Sequence, residues 1–592
     1  MRTPVEKIDP SVGTTGIESV NRTFSLNHRD GSIHGRSQSS DFQIPSILIH
    51  FRHLLDVTLE SSKSTVSNHF ILGVPLIPWI SQILHPVVVY GKQSDSQVAA
   101  GQLLEAYTQA GFLCSLDYTK CFDCLRPSSS VAMFIKTGLD SRFCTIIKDL
   151  WDSHVRWPSW GGTVHHEVLA THGLPIPQGE CLGPITCCLW LSAGQRYVEA
   201  QMGAALTSSI YMDDRSFVAR SAEELVQAQR CWAEWSGRVG LLESASKTQM
   251  TARSQAQKRS LQTLIPAEWF RSDITMLGVV TKGAPRCNAQ QERDRLTKAK
   301  LRLTSLSTLR LGSGLFAVYA RVFPLSLCSY GWLSRLPRKM DCDALWTAVK
   351  KGQKVLYSAN TWLRAMVHGG LNHLDIITAC NLFRVVSVLR FRGQAFWSNG
   401  SGSLVAELRK WFKARRFSEV RPWEWSHVDD PSIQVSALNS DKVHLKRMSH
   451  LIREGWRFYC WDQFLQTSRH EISTVSHVQA SDLRQVKWSA VRALSESCAA
   501  CRTVAVGGTV SPAWFHARDG EPFSSSCPWC PALGSWFHVC WECEFSPLLA
   551  SRPPTPSLGI TRRFGWSPNP GPVLKYLAEV QKAIWDHRYG RS

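Results

Sequence analysis

Two adjacent carboxylates set between short apolar runs constrain this chain more than any other feature. Residues 209–218 read Ser-Ile-Tyr-Met-Asp-Asp-Arg-Ser-Phe-Val. Aromatic and β-branched residues on both sides favour two short strands. The polar pair between them favours a tight turn. The segment is therefore expected to be a hairpin with Asp213 and Asp214 at its tip. Paired carboxylates on a rigid turn can hold Mg²⁺, a hard cation that takes oxygen ligands. An Asp-Asp turn is also a common surface feature, so its meaning depends on what the rest of the chain brings to it.

A third carboxylate is available upstream. Gly111-Phe-Leu-Cys-Ser-Leu-Asp117 is an apolar run ending in an acid, the pattern of a core strand whose last residue is Asp117, and Lys120, Phe122 and Asp123 follow it in a turn or helix start. Residues 98–110 before it have helical composition. Gly173 to Trp190 starts as a Gly/Pro loop holding Gln178 and Gly179, then becomes an apolar run to about Met202, which suggests a loop feeding a buried helix. A glycine at such a mouth lets a ligand approach the backbone. Ser221 with Glu224 fits a capping box, opening a helix through Leu225, Ala228, Trp232 and Trp235. Ile274–Val280 reads as one strand with an internal Gly. Residues 292–311 read as a helix with Leu296, Ala299, Leu303 and Leu306 on one face and Lys298, Lys300 and Arg302 off it. Those basic residues suit either a solvated face or a helix that rests on phosphates.

The 592 residues allow about three or four domains. Lys and Arg exceed Asp and Glu by 67 to 47, a net charge of +20 that favours a polyanionic partner, nucleic acid before membrane. The most apolar run, 70–90, is broken by Pro75, Pro78 and Pro86 and suits buried core better than a membrane span. The opening residues are polar and carry no secretory signal pattern, so the 19 Cys are expected as thiols or zinc ligands rather than disulfides. Residues 1–68 have the polar composition of a poorly ordered segment. Arg409, Lys410, Lys413, Arg415 and Arg416, interleaved with Trp411, Phe412 and Phe417, fit either a plain amphipathic helix or a nucleic-acid contact.

Taken in order, Asp117-x-x-Lys-x-Phe122-Asp123, Pro177-Gln-Gly-x-x-x-x-Pro184, Tyr211-Met-Asp213-Asp214, Gly240-Leu-x(5)-Lys247-Thr248 and Leu277-Gly278-Val279 resemble the palm of a reverse transcriptase. The basic helix and Tyr330-Gly331-Trp332 resemble the thumb of the non-LTR (LINE-type) branch. The resemblance implies an α+β right-hand polymerase: a palm with an antiparallel sheet, partial fingers, a helical thumb, and a mostly helical C-terminal region with a small zinc motif. The expected division is a poorly ordered extension at 1–75, fingers and palm at 76–280, thumb at 281–340, a helical region at 341–520, a zinc-knuckle-like motif at 521–545 and a tail at 546–592. The pattern departs from the family at Gly183 for Ser, Pro175 for Gly and Ser244 for Asn, and the usual Arg-Pro-Ile segment of the fingers is not evident before residue 98.

The implied activity is RNA-directed DNA polymerisation, copying a retroelement RNA by two-metal nucleotidyl transfer to a primer 3′-OH. A truncated or inactive RNA-binding remnant and a group II intron-type maturase are the alternatives. The resemblance implies Asp117 and Asp213 as bridging ligands for Mg²⁺ or Mn²⁺ and Asp214 in a supporting role. It implies Phe122 under the sugar excluding a 2′-OH, Gln178, Gly179 and Tyr211 around template and nucleotide, and Lys247 giving a proton to the leaving pyrophosphate. The implied partners are an RNA template, a DNA primer or nicked target DNA, and deoxynucleoside triphosphates, without a membrane. The element type implies a nuclear location. Independently, Cys527-x2-Cys530-x7-His538-x4-Cys543 has the residue types and spacing of a tetrahedral zinc site, and late motifs of this kind recur in the same branch. Cys540 and Cys498-x2-Cys501 compete as ligands; a Cys₄ ribbon from Cys498, Cys501, Cys527 and Cys530 is the main alternative.

Overall fold

The computed structural model describes residues 16–20, 80, 82–89, 95–152, 155–160, 163–164, 175–176, 182–203, 206–281, 290–309, 311–330, 332–333, 336–352, 361–369, 373–392, 403–467, 478–509, 511–513, 516 and 524–589. They fall into two compact units, Met1–Ala99 with Gln109–Ile274, and Ala100–Thr108 with Thr275–Ser592.

The first unit is built on an antiparallel sheet. Its strands are β2 (Phe112–Leu116), β5 (Thr207–Tyr211), β6 (Asp214–Ala219) and β7 (Gln249–Ala252), in the order β5-β6-β2-β7. Residues 215–219 of β6 are all buried, because both faces of this central strand are covered. Residues 87–89 extend the sheet beside β5, with Val89 N–H donating to Ile210 O at 2.7 Å. Of the described residues in the run 70–90, Ile80, Val88 and Val89 are buried, Ile83, Leu84 and Val87 are partly buried, and Gln82 and Pro86 are exposed. β1 (Gly16–Val20) pairs antiparallel with β3 (Val155–Trp160), which pairs with β4 (Thr163–Val164). β1 is the described part of residues 1–75; the rest of that segment lies outside the described residues.

Helices form where they were expected, at 98–110, through the apolar run to Met202 and after Ser221, and others stand beside them. They are α1 (Ser96–Ala110), α2 (Cys121–Cys124), α3 (Pro127–Lys136), α4 (Ser141–Asp152), α5 (Leu182–Met202), α6 (Ala222–Val239) and α7 (Gln255–Gln262). α5 and α6 approach closely at Gly194, where a Cβ would sit 2.6 Å from Trp232 Cζ3. Ser221 Oγ accepts from Glu224 N–H at 3.1 Å, but the Glu224 carboxylate reaches back to Arg220 N–H, one residue before the cap, at 2.7 Å. Only half of the expected capping box is formed.

The second unit is mainly helical. Ile274–Val280 is not one strand: β8 (Thr275–Met276) turns back on β9 (Val279–Val280). Leu277 and Gly278 both have positive φ, 47° and 74°, which is the turn that matches strand twist in a two-residue hairpin. Tyr330 holds it, donating from its hydroxyl to Leu277 O at 2.7 Å. In α8 (Gln290–Thr308) Leu296, Ala299 and Leu303 are buried while Lys298, Lys300 and Arg302 are exposed. After α9 (Ser313–Ala320), α10 (Lys339–Gly352) and α11 (Leu374–Phe391) comes α12 (Ser403–Ala414). The Glu105 carboxylate accepts from Ser403 N–H at 3.0 Å, placing a negative charge at the positive end of the α12 dipole. A meander of β10 (Phe417–Arg421), β11 (Glu424–His427) and β12 (Asp430–Ser436) follows. Then come α13 (Lys442–Thr467), α14 (Trp488–Ser497), α15 (Ala499–Ala505) and α16 (Pro570–Tyr589). Among the described residues no helix is long and apolar enough to cross a membrane, and the described cysteines are free thiols.

Candidate active site and metal centre

Asp117 follows the last residue of β2. Its backbone carbonyl accepts from Ser244 N–H at 3.0 Å, tying the end of that strand to the loop after α6. β5 and β6 close through a two-residue turn, because Tyr211 pairs directly with Asp214. The turn residues are thus Met212 and Asp213, and Asp214 opens β6 instead of sharing the tip. Met212 takes φ 53°, a left-handed conformation of order 1 kcal/mol or more above its preferred region. Since β2 lies beside β6, the hairpin returns to Asp117. One oxygen from each of Asp117, Asp213 and Asp214 lies within 4.8 Å of the others. Three carboxylates this close repel. Burial first, then the charges of its neighbours, pushes Asp214 up to about 6. Burial likewise raises Asp213, with the Asp117 charge adding to it.

Lys247 is the counter-charge in this arrangement. Its Nζ is 2.7 Å from Asp117 Oδ2, a contact that raises the affinity of the ammonium for its proton. The other oxygen of Asp117 is buried and has no hydrogen-bond partner. A carboxylate with a buried oxygen that lacks a donor, set beside two more carboxylates, suits a hard divalent cation. These residues fit the group the sequence implied.

Beneath the carboxylates lies a charged frame that the sequence reading did not single out. Arg215 is 1% exposed and grips both oxygens of Glu243, Nη1 to Oε1 and Nη2 to Oε2, each at 2.7 Å. Its guanidinium lies 3.6 Å from the centroid of the Tyr118 ring. Ser236 Oγ donates to Glu243 Oε1 at 2.6 Å. The available signal was an arginine inside the otherwise strand-like run Arg-Ser-Phe-Val-Ala, and it did not say which acid would meet it.

Phe122, on α2, is half-buried against Gly183: a Cβ there would lie 3.4 Å from Phe122 Cε1, so this ring defines the wall where the family pattern has Ser. Tyr211 is exposed at the end of β5. Gln178 and Gly179 lie outside the described residues.

Residues 66–280 match the family model for reverse transcriptase (RNA-dependent DNA polymerase). This segment is a reverse transcriptase domain. No curated protein matches the chain. The reverse transcriptase domain carries the right-hand polymerase fold and indicates an RNA-directed DNA polymerase, a nucleotidyltransferase, and it implies an RNA template, a primer and deoxynucleoside triphosphates as substrates.

Downstream of the reverse transcriptase domain, Cys527, Cys530, His538 and Cys543 converge, with one ligand atom of each within 4.8 Å of the others. Cys527 N–H donates to Ala532 O at 2.7 Å, closing the loop that carries the first two thiols. His538 and Cys543 are brought to one face by a π-type turn in which Cys543 N–H donates to His538 O at 2.9 Å. Sγ of Cys543 lies 3.7 Å from Cys527 and 3.8 Å from Cys530. Sulfurs about 2.3 Å from a tetrahedral zinc are separated by about 3.8 Å. Cys530 Sγ lies 3.1 Å from His538 Nε2. Burial opposes ionisation of Cys530, but the Ala532 N–H, His538 and the two other thiols outweigh it and bring the group down to about 7, toward the thiolate a metal requires. The four residues fit zinc. The Cys₄ ribbon is not formed: Cys501 Sγ instead points at Leu574 O, 3.9 Å away, and Cys498 accepts from Cys501 N–H. Cys540 is fully buried apart from the cluster.

Proposed function

We propose that this chain is the polymerase of a non-LTR retroelement, copying an RNA template into DNA by extending a primer 3′-OH, with two divalent ions between Asp117, Asp213 and Asp214. The observation that carries this reading is the convergence of the three carboxylates, one of them with an unpartnered buried oxygen. Asp117 and Asp213, from separate sheet segments, would bridge the ions, and Asp214 would support them. Two bound ions would make the primer oxygen more nucleophilic and neutralise the leaving pyrophosphate. Lys247 keeps its ammonium charged beside Asp117 and supplies a proton on Nζ to the pyrophosphate. Phe122 packs under the incoming sugar and leaves no room for a 2′-OH. Tyr211 lines the space for nucleotide and template, a role that the family pattern also gives to Gln178 and Gly179. Zinc on Cys527, Cys530, His538 and Cys543 holds a loop-rich segment together. A polymerase of this element type works in the nucleus.

The test is primer extension on an RNA template with deoxynucleotides and Mg²⁺. The chain should extend the primer. Asp213→Asn should lower the rate by at least about a thousandfold, on the order of 4 kcal/mol of transition-state stabilisation, with an unfolding temperature close to that of the parent chain. Near-normal incorporation by the folded variant would overturn the assignment.

A further inference from the structure

Side chains of an extended chain point alternately to opposite faces. Asp117 is followed by Tyr118 and Asp214 by Arg215, and both followers are 1% exposed. The segments that present the carboxylates therefore each send their next side chain underneath. There the two meet, with the Arg215 guanidinium 3.6 Å from the Tyr118 ring centroid and 5.0 Å from that of Trp232. The third participant is the loop that carries Lys247. Its Glu243 takes both guanidinium nitrogens at 2.7 Å. Glu243 also accepts from Ser236 Oγ, which lies 3.0 Å from the Tyr118 hydroxyl. The neighbouring backbone locks the same pieces together: Thr119 N–H donates to Leu242 O at 2.8 Å and Ser244 N–H to Asp117 O at 3.0 Å. One buried cation thus touches all three segments that bear the site.

Stability alone does not account for an arginine here. Leu116 already pairs with Arg215 in the β2–β6 ladder, and a buried ion pair is often replaceable by apolar side chains without loss of stability. What the fork of a guanidinium adds is direction: two parallel bonds and a planar stack fix both angle and distance.

We propose that Arg215 is a positioning residue for the metal-binding carboxylates. Held by Glu243 and stacked on Tyr118, it fixes the gap between Asp117 and the Asp213–Asp214 hairpin, and so sets the affinity of the site for divalent cations. This rests on the two-ion reading above.

The test compares the zinc-loaded full chain with Arg215→Lys and with Arg215→Met/Glu243→Met, which removes the pair without leaving a buried charge unpaired. Mn²⁺ binding is titrated by electron paramagnetic resonance, thermal unfolding is followed in parallel, and primer extension is measured against Mg²⁺ concentration. Both variants should unfold close to the parent yet bind Mn²⁺ at least about tenfold more weakly. They should need correspondingly more Mg²⁺ for half-maximal extension, with KM for primer–template unchanged. Lysine keeps the charge but lacks the fork, so parent-like Mn²⁺ affinity in a folded Arg215→Lys overturns the proposal. So does parent-like affinity in the folded double variant, which decides the matter alone if the lysine variant does not fold. If affinity falls in the variants while even the parent extends no primer, the positioning role stands and the polymerase reading falls. If the parent binds no Mn²⁺, both fall.

Discussion

The charge state of Asp214 is set by its surroundings. Burial and the two neighbouring carboxylates hold its proton up to about 6, above the usual aspartate value of about 3.9. A carboxyl that binds its proton more tightly folded than unfolded stabilises the fold while protonated. Its contribution is complete below about pH 4 and is lost as the pH rises through about 6. In chelator, the chain should therefore lose stability across that window, and Asp214→Asn should not. Because water reaches this carboxyl and screens the repulsion, the difference should be about 2–4 °C in Tm, the size of a ~1 kcal/mol effect in a domain of this size. Mg²⁺ should restore the parent above pH 6 and leave the asparagine variant less affected. Parallel Tm–pH curves for the two proteins in chelator would show that the repulsion is not there. At this scale the site was legible where chemistry demands a residue type: acids for a hard cation, ordered along the chain as the sheet later brings them together. The frame was not legible. Arg215 and Glu243 are 28 residues apart, and nothing local to either marks the partner.

Elements were legible where periodicity carried them, and misread where a turn shares the strand's alternation. The apolar stripe of α8 and the long run of α5 gave their helices directly. Ile274–Val280 has the alternation of one strand, yet positive φ at Leu277 and Gly278 folds it on itself, and the contact that holds it there comes from Tyr330, 53 residues on. Of the basic–aromatic stretch at 409–417, residues 409–414 belong to the amphipathic helix α12 and Phe417 opens β10: Trp411, Phe412 and Phe417 are buried, Arg409 pairs with Glu419 at 2.8 Å, and Arg415 pairs with Asp375 at 2.8 Å. The zinc-type motif was legible because ligand spacing is itself a geometric statement. His538 and Cys543 share a face through one π-type turn, and the Cys527–Cys530 pair occupies a closed loop. Such a segment depends on its metal, since structural zinc contributes about 10–16 kcal/mol to the folding of small domains. Metal analysis should thus find His538→Ala and Cys530→Ser depleted of zinc, with cleavage by a protease appearing between 524 and 545. Cys498→Ser and Cys501→Ser should retain the metal. Zinc retained by a folded His538→Ala would remove His538 from the ligand set.

For the molecule as a whole, the question is where a net charge of +20 acts. Part of the basic content is spent internally, as at Arg415 with Asp375 and at Arg416 with Asp429 and Asp462. Arg415 ties the end of α12 to α11, and Arg416, just before β10, joins the turn between β11 and β12 to α13, so both guanidinium groups are engaged within the chain. On α8 the apolar stripe is buried and Lys298, Lys300 and Arg302 stand exposed, so this helix presents charge where a phosphate backbone can reach it. A chain whose template and primer are both polyanions should bind them with strong salt dependence, because each neutralised phosphate releases condensed counterions. Replacing Lys298, Lys300 and Arg302 together by Gln should make the slope of log K against log salt shallower by about 2–3, the loss of three phosphate contacts. The maximal rate of extension at saturating primer–template should stay as it was, since these residues are not among the carboxylates proposed to hold the metal ions. The comparison is fluorescence-anisotropy binding of a primed RNA from 50 to 300 mM salt. A slope identical to that of the parent would make these three residues a solvated face and move the polyanion contact to other basic residues of the chain.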